Sequence, residues 1–360
     1  TAKVVLVPKD SRGPRLISCE PLEYQWIQQG LGRKLADYLE RVNPLTRGQI
    51  NFTDQGINRS IALDSSRYRD FATIDLRDAS DRVSLELVRK IFSRSNVLKL
   101  HLEASRTTAT TLPDGRVITL NKFAPMGSAL CFPVEAYIFW VVIVAANVLE
   151  TREPLSRVGE KVFVYGDDII VPTGEALRCI QALESVGLRV NRDKSCITGS
   201  FRESCGVEAY NGFDVTPVRL KTQWTGRNTD ASALSSYTKL ANVLGRLGYT
   251  QASLFLWRSL ERTYGYLPFG TQNSGFPCKE VNSAMLAVSL NKRYVKSRVN
   301  RKLQRIEFLV NQLKPRRFAS DLDGWPRMLR DIVMSNPSDP SVVVVPRSTK
   351  IKRGWAAVFS

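Results

Sequence analysis

The chain has 360 residues and is 43% hydrophobic, enough for a large core and several subdomains, which excludes a disordered or low-complexity protein. Lys and Arg outnumber Asp and Glu by 52 to 34, and the net charge of +18 points to a polyanionic partner, with nucleic acid the first candidate. Six cysteines without a C-x-x-C pair and a single histidine, His101, argue against a zinc site and against Ser-His-Asp or Cys-His catalysis.

Residues 3–18, KVVLVPKDSRGPRLIS, read as two strand-like runs about a basic turn carrying Lys9, Arg12 and Arg15. Opening on Thr1 inside such a run, the chain reads as a fragment whose natural amino terminus lies upstream. A helix is predicted from Pro21, with Leu22, Trp26, Leu31, Leu35 and Leu39 at helical spacing. Residues 43–70 read as a polar loop. In FATIDLRDASDRVSLELVRKIF a short strand ends on Asp75 and a helix begins near Ser80, with Val83, Leu87, Val88 and Ile91 on one face. His101 is expected at the surface, and residues 107–121 as a hairpin about Pro113-Asp114-Gly115. The apolar run 136–149 is shorter than the ~20 residues of a membrane span and reads as a buried helix.

Residues 161–172, KVFVYGDDIIVP, form two apolar runs joined through Gly166, which places Asp167 and Asp168 at a hairpin tip. Two adjacent carboxylates repel, so the placement makes sense where a divalent cation binds. A solvated Asp-Asp turn is the plain alternative. A helix over 175–187, an extended basic segment GLRVNRDKSC, a hairpin within 201–221 and a mostly helical remainder follow. Residues 291–317 carry ten Lys or Arg against Glu307 alone and are predicted as a helix. Val295, Val299, Leu303, Ile306, Val310 and Leu313 form its apolar stripe, with Arg298, Arg301, Lys302 and Arg305 on another face. That basic face is either a solvated surface or a track for RNA.

A strand ending on Asp75, a turn with Asp167 and Asp168, and flanking cations suit nucleotidyl transfer. Two Mg²⁺ ions between carboxylates from different strands can clamp a 3′-hydroxyl, an α-phosphate and a leaving pyrophosphate. Oxygen ligands favour Mg²⁺ or Mn²⁺ over softer metals.

The segments VPKDSRGPRLISCEP, TIDLRDASDRVS, PMGSALCFPVE, VYGDDIIVP, VGLRVNRDKS and FRESCGVEAYNGFDVTP follow the order and spacing of motifs F, A, B, C, D and E of viral RNA-dependent RNA polymerases. With TDQGINR between F and A, and the run from FRESCG to DVTP, the chain resembles the replicase subunit of the leviviruses, the single-stranded RNA bacteriophages of the Qβ type. The resemblance implies an α+β right-hand polymerase: partial fingers with motif F over 1–72, a palm with an antiparallel sheet over 73–220, and a mostly helical thumb and carboxy-terminal region over 221–360. It implies RNA-directed RNA polymerisation from nucleoside triphosphates, with Asp75 and Asp167 holding two Mg²⁺ ions and Asp168 supporting them. Asp81 would help read the ribose, Gly127 and Ser128 match the loop against which the nucleotide settles, and Lys9 and Arg15 would meet the triphosphate. Lys194 matches the proposed general acid for the pyrophosphate. Asp78 stands where relatives carry a small residue and reads as a helix cap, and Ser128 stands where they carry Asn. RNA template and product, host translation factors and the cytoplasm of an infected bacterium are the implied setting, with no membrane.

A reverse transcriptase is the nearest rival, yet Leu76, Arg77, Asp78, Ala79 and Ser80 supply no aromatic gate against a 2′-hydroxyl. A non-catalytic RNA-binding protein of the same fold would need only the basic charge. Asp75, Asp167, Asp168 and Lys194 together argue against it.

Overall fold

The computed structural model describes residues 1–10, 13–220, 222–315 and 349–358, and its architecture is mixed α+β. The Arg12 side of the basic turn lies outside these residues, as does the Lys9 side chain. Two compact units divide the chain, one holding the described residues up to Thr216 and the other those from Pro217 onward.

The first unit opens with β1 (Ala2–Asp10), β2 (Gly13–Cys19) and α1 (Leu22–Asp37), which a π turn at Tyr38–Val42 extends. Next come α2 (Gly56–Tyr68), β3 (Phe71–Ile74), α3 (Ala79–Arg82), α4 (Leu85–Ile91), α5 (Asn96–Ser105), β4 (Ala109–Thr111) and β5 (Val117–Thr119). The long α6 (Cys131–Thr151) leads to α7 (Leu155–Gly159), β6 (Phe163–Tyr165), β7 (Asp168–Pro172), α8 (Ala176–Ser185), β8 (Phe201–Ser204), β9 (Val207–Tyr210) and β10 (Phe213–Asp214).

Three sheets result, ordered β2-β1-β4-β5, β3-β7-β6 and β10-β9-β8. The middle one is antiparallel throughout, and its strands are short and apolar because both faces are covered. Ala72, Ile74, Val164, Ile169 and Val171 are buried there against Val134, Ile138, Phe139 and Ile143 of α6 and Ile180 and Leu183 of α8. Each large apolar side chain so buried contributes about 1.5–3 kcal/mol. The helix α6 is long and apolar enough to cross a membrane, yet 56% of its most apolar stretch is buried in this core. It is the core helix expected from the run 136–149, and Asn147 on it is tied to Glu175 at 2.7 Å. His101 is exposed, and the six cysteines are unpaired.

Three expectations need correcting. Residues 43–70 are not all loop, since α2 occupies about half of them; its buried face is made of Asn58, Ala62, Ser65 and Ser66, which keep helical spacing although only Ala62 is apolar. The helix expected near Ser80 is a single turn, α3, broken by extended Val83, and α4 starts afresh from Ser84, whose hydroxyl accepts the Leu87 N–H at 3.1 Å.

The third correction lies in the second unit, which contains α9 (Ala231–Arg246), α10 (Thr250–Tyr264), β11 (Phe269–Gly270), β12 (Lys279–Glu280), α11 (Ala284–Tyr294), β13 (Ser297–Asn300), β14 (Arg305–Pro315) and β15 (Thr349–Ala356). Its helices α9 and α10 pack about Leu234, Tyr237, Trp257 and Leu260. The predicted helix over 291–317 ends at Tyr294, and the chain continues as the antiparallel sheet β13-β14-β15. Ile306, Phe308 and Val310 alternate as a strand requires, and Gln304 takes φ +47 in the turn. Arg298 stands opposite Glu307 in the register and donates to its Oε2 at 2.9 and 2.7 Å, while Arg305 donates to its Oε1 at 3.0 Å. These bonds, that of Arg298 first, hold the Glu307 carboxyl below the usual range. Arg298 also lies over the Trp355 ring, 4.6 Å from its centre. Arg301 and Lys302 sit at the hairpin tip, so the four cations do not share a helix face.

Candidate active site

Ile74 of β3 stands opposite Ile169 of β7 as the last pair of the register, which brings Asp75, just past the end of β3, near enough to Asp168 for its charge to be felt there. Tyr165 pairs with Asp168, which leaves Gly166 and Asp167 as a two-residue turn. Gly166 takes φ +63, and a Cβ there would overlap the Phe132 ring, so the turn requires glycine. Phe132 is itself wedged edge-on between Tyr165 and Phe52, with ring centres 5.5 and 5.7 Å away.

Asp167 is exposed at the tip, whereas Asp168 is half-buried and accepts the Cys205 N–H at 3.2 Å. Burial, and after it the charges of Asp167 and Asp75, pushes the Asp168 carboxyl up to about 6. The segment 187–196, expected to be extended, instead turns at 192–194, and it meets the free edge of β3 and the residues after it at isolated bridges of Cys196 with Thr73 and Val190 with Leu76. Thr73 and Cys196 exchange backbone bonds of 3.1 and 2.8 Å, and Asn191 N–H donates to Asp75 O at 2.8 Å. This brings the Asn191 side-chain amide to Asp75 Oδ2 at 2.8 Å and the Ser195 hydroxyl to the Asp75 N–H at 3.1 Å.

A cleft of about 510 Å³ opens over these groups, and Arg15, Asp75, Asp78, Asp81, Asp167 and Lys194 all line it. Asp81 is paired, its Oδ1 receiving Lys122 Nζ at 2.5 Å. Asp78 occupies the position before α3 with φ +52, but its side chain makes no capping bond. Below the cleft floor, Glu135 of α6 is buried beside Ser80 and Cys131. Its carboxyl is raised to about 8, by burial first, against the hydrogen bond from Ser80 and with the charge of Asp167 adding to it.

The family profile of the RNA replicase beta-chain matches residues 1–231. The chain belongs to the RNA replicase beta-chain family.

Relatives in this family include the RNA-directed RNA polymerase subunit beta of Enterobacteria phage SP, 38% identical over 219 residues, and that of Escherichia virus Qbeta, 35% identical over 219 residues. Each match covers 61% of this chain but only 36% and 35% of the respective relative, so the chain spans little more than a third of their length. Among solved structures, an insertion-loop deletion mutant of the RNA-dependent RNA polymerase of a human picorbirnavirus aligns with a TM-score of 0.49 and 12% identity, covering 72% of this chain and 57% of that one.

In this chain Asp75, Asp81, Asp167, Lys194 and Arg15 line one cleft. Ser128 does not line the cleft: it is buried, and its hydroxyl donates to Gln28 Oε1 at 2.9 Å. Gly127 takes φ +120 and packs so tightly on the Ser18 carbonyl that a side chain would overlap it. The reading from sequence missed Asn191, Lys122, Glu135 and Gln28, whose roles come from partners far along the chain. Arg106 was missed too; its guanidinium holds the carbonyls of Leu120, Lys122 and Phe123 at 2.8, 3.0 and 2.9 Å and so fixes the strap that carries Lys122. Among the described residues, no group of three or more His, Cys, Asp or Glu forms a ready metal cage.

Proposed function

We propose that the chain carries the nucleotidyl-transfer centre of a phage RNA-directed RNA polymerase, in the palm of a right-hand fold. The observation that carries this reading is that Asp75, at the end of β3, and Asp167, in the turn between β6 and β7, line one cleft, with Asp168 beside them. The donor set fits Mg²⁺. It is all oxygen, burial and after it the like charges of Asp167 and Asp75 already raise Asp168, and Mg²⁺ is ordinarily held by one or two carboxylates plus substrate phosphates rather than by a closed protein cage. Bound to Asp75 and Asp167, a pair of such ions would supply charge neutralisation at the attacking 3′-oxygen and the leaving pyrophosphate.

The residues of the chain supply the rest. Asn191 orients the Asp75 carboxylate, and the Gly166 turn presents Asp167. Arg15 meets the triphosphate, and Lys9 is assigned the same role from its motif. The RNA 3′-hydroxyl gives up its proton to solvent as its oxygen bonds to the α-phosphorus, the bond to pyrophosphate breaks, and Lys194 delivers a proton to that leaving group. Asp81, steadied by Lys122, reads the ribose hydroxyls. The RNA template and product, the nucleoside triphosphates, host translation factors and the bacterial cytoplasm belong to this proposal.

Primer extension with RNA or DNA templates and ribo- or deoxyribonucleotides tests the reading. Ribonucleotide incorporation on RNA is expected, and Asp167→Asn should abolish it with RNA binding nearly intact, because an amide cannot replace a metal-bound carboxylate. Preference for deoxyribonucleotides, or normal turnover by Asp167→Asn, would overturn it.

A further inference from the structure

The loop at residues 126–129 forms part of the cleft wall through Met126, and its backbone is gripped from two sides. On one side Ser18 N–H donates to Met126 O at 2.8 Å, and Gly127 abuts the Ser18 carbonyl. On the other side stands Gln28 of α1, fully buried. Its Oε1 accepts from Ser128 Oγ at 2.9 Å and from Ala129 N–H at 3.3 Å. Its Nε2 donates to Ser105 O at 2.9 Å and to Glu20 Oε2 at 3.4 Å. An N–H can only donate and a carbonyl can only accept, so Ala129 and Ser105 fix which end of the carboxamide is which. All four of its hydrogen-bonding positions are then filled. One turn further along α1, a Cβ on Gly32 would lie 2.8 Å from Ala129 O, so helix and loop meet backbone to backbone. Glu20 completes the network, buried and bonded to the Thr107 hydroxyl.

We propose that Gln28 is a positioning residue for the incoming ribonucleoside triphosphate: it sets the 126–129 loop at the height where Met126 borders the cleft. This rests on the polymerase reading above. The residue type follows from the network. Asn is one methylene too short, and Glu places a charge beside Glu20 while losing both donors. Met keeps the volume but leaves Ser128, Ala129 and Ser105 without their partner.

The test is anisotropy titration of the full chain with a fluorescent ribonucleoside triphosphate and Mg²⁺, alongside amide hydrogen exchange over residues 126–130. Gln28→Met should raise Kd about tenfold and speed exchange in that loop, with the far-ultraviolet circular dichroism unchanged. Ser128→Ala removes one of the four bonds to Gln28, together with the hydroxyl that accepts the Leu130 N–H at 3.3 Å, and leaves Gln28 its backbone partners Ala129 and Ser105; it carries the test if Gln28→Met does not fold, and a rise in Kd of roughly twofold to threefold is expected. Unchanged nucleotide affinity in a folded variant overturns the role of Gln28 alone. A wild-type chain with no nucleotide affinity overturns the polymerase reading, and this inference with it.

Discussion

Lys194 reaches the cleft on the segment that runs beside β3, exposed and on the same wall as Asp75. In the proposed role of proton donor to pyrophosphate it should matter to chemistry and not to binding. Lys194→Leu is expected to slow single-turnover incorporation by roughly 10²-fold to 10⁴-fold, and an unaltered rate in rapid quench would remove it from that role. Asp75, Asp167, Asp168 and Lys194 were legible in the sequence because each sits inside a short motif whose local backbone dictates its position. Gln28 and Asn191 were not. An amide side chain carries no signal of its own, and the partner that gives Gln28 its meaning, Ser128, stands 100 positions away. Ser128 shows the converse, since its motif was recognised and its burial was not, because burial depends on α1 packing over it.

The turn between β6 and β7 has no slack. Gly166→Ala must strain a left-handed backbone and displace the Phe132 ring, so urea unfolding should show a loss of about 1–3 kcal/mol. A stability equal to wild type would mean that Phe132 yields freely. The basic hairpin of β13 and β14 sets a different expectation. Arg298 and Arg305 are committed to Glu307, whereas Arg301 and Lys302 at the tip have no ion pair among the described residues and are the cations placed to meet a phosphate backbone. Changing both to Gln should flatten the plot of log RNA affinity against log salt by about 0.7 per lost contact, whereas an unaltered slope would make the tip a solvated surface. This region was misread because Val299, Leu303, Ile306 and Val310 satisfy a helical period, while Ile306, Phe308 and Val310 also satisfy a strand's. The deciding features, the Arg298–Glu307 rung and the pairing of β14 with β15, are contacts that no local window contains.

For the whole molecule, the buried acids predict how stability follows pH. Glu135 is raised to about 8 and Asp168 to about 6, so the folded chain holds these protons more firmly than the unfolded chain. Their contribution is therefore full in acid and is lost as pH climbs, from about 4 to 6 for Asp168 and on to about 8 for Glu135. Glu135→Gln should flatten the upper part of that decline in urea titrations at several pH values; an unchanged slope would show that Glu135 ionises normally. The four rungs between β3 and β7 reach beyond stability, for side chains alternate along a strand, and a slip of one residue would turn every one of them to the opposite face. Gaining or losing a single residue within β7 would separate Asp75 from Asp168, whereas the same change in the connecting loops leaves the pairing untouched. Over evolutionary time, insertions and deletions in such chains should therefore collect in the loops and stop short at these two strands.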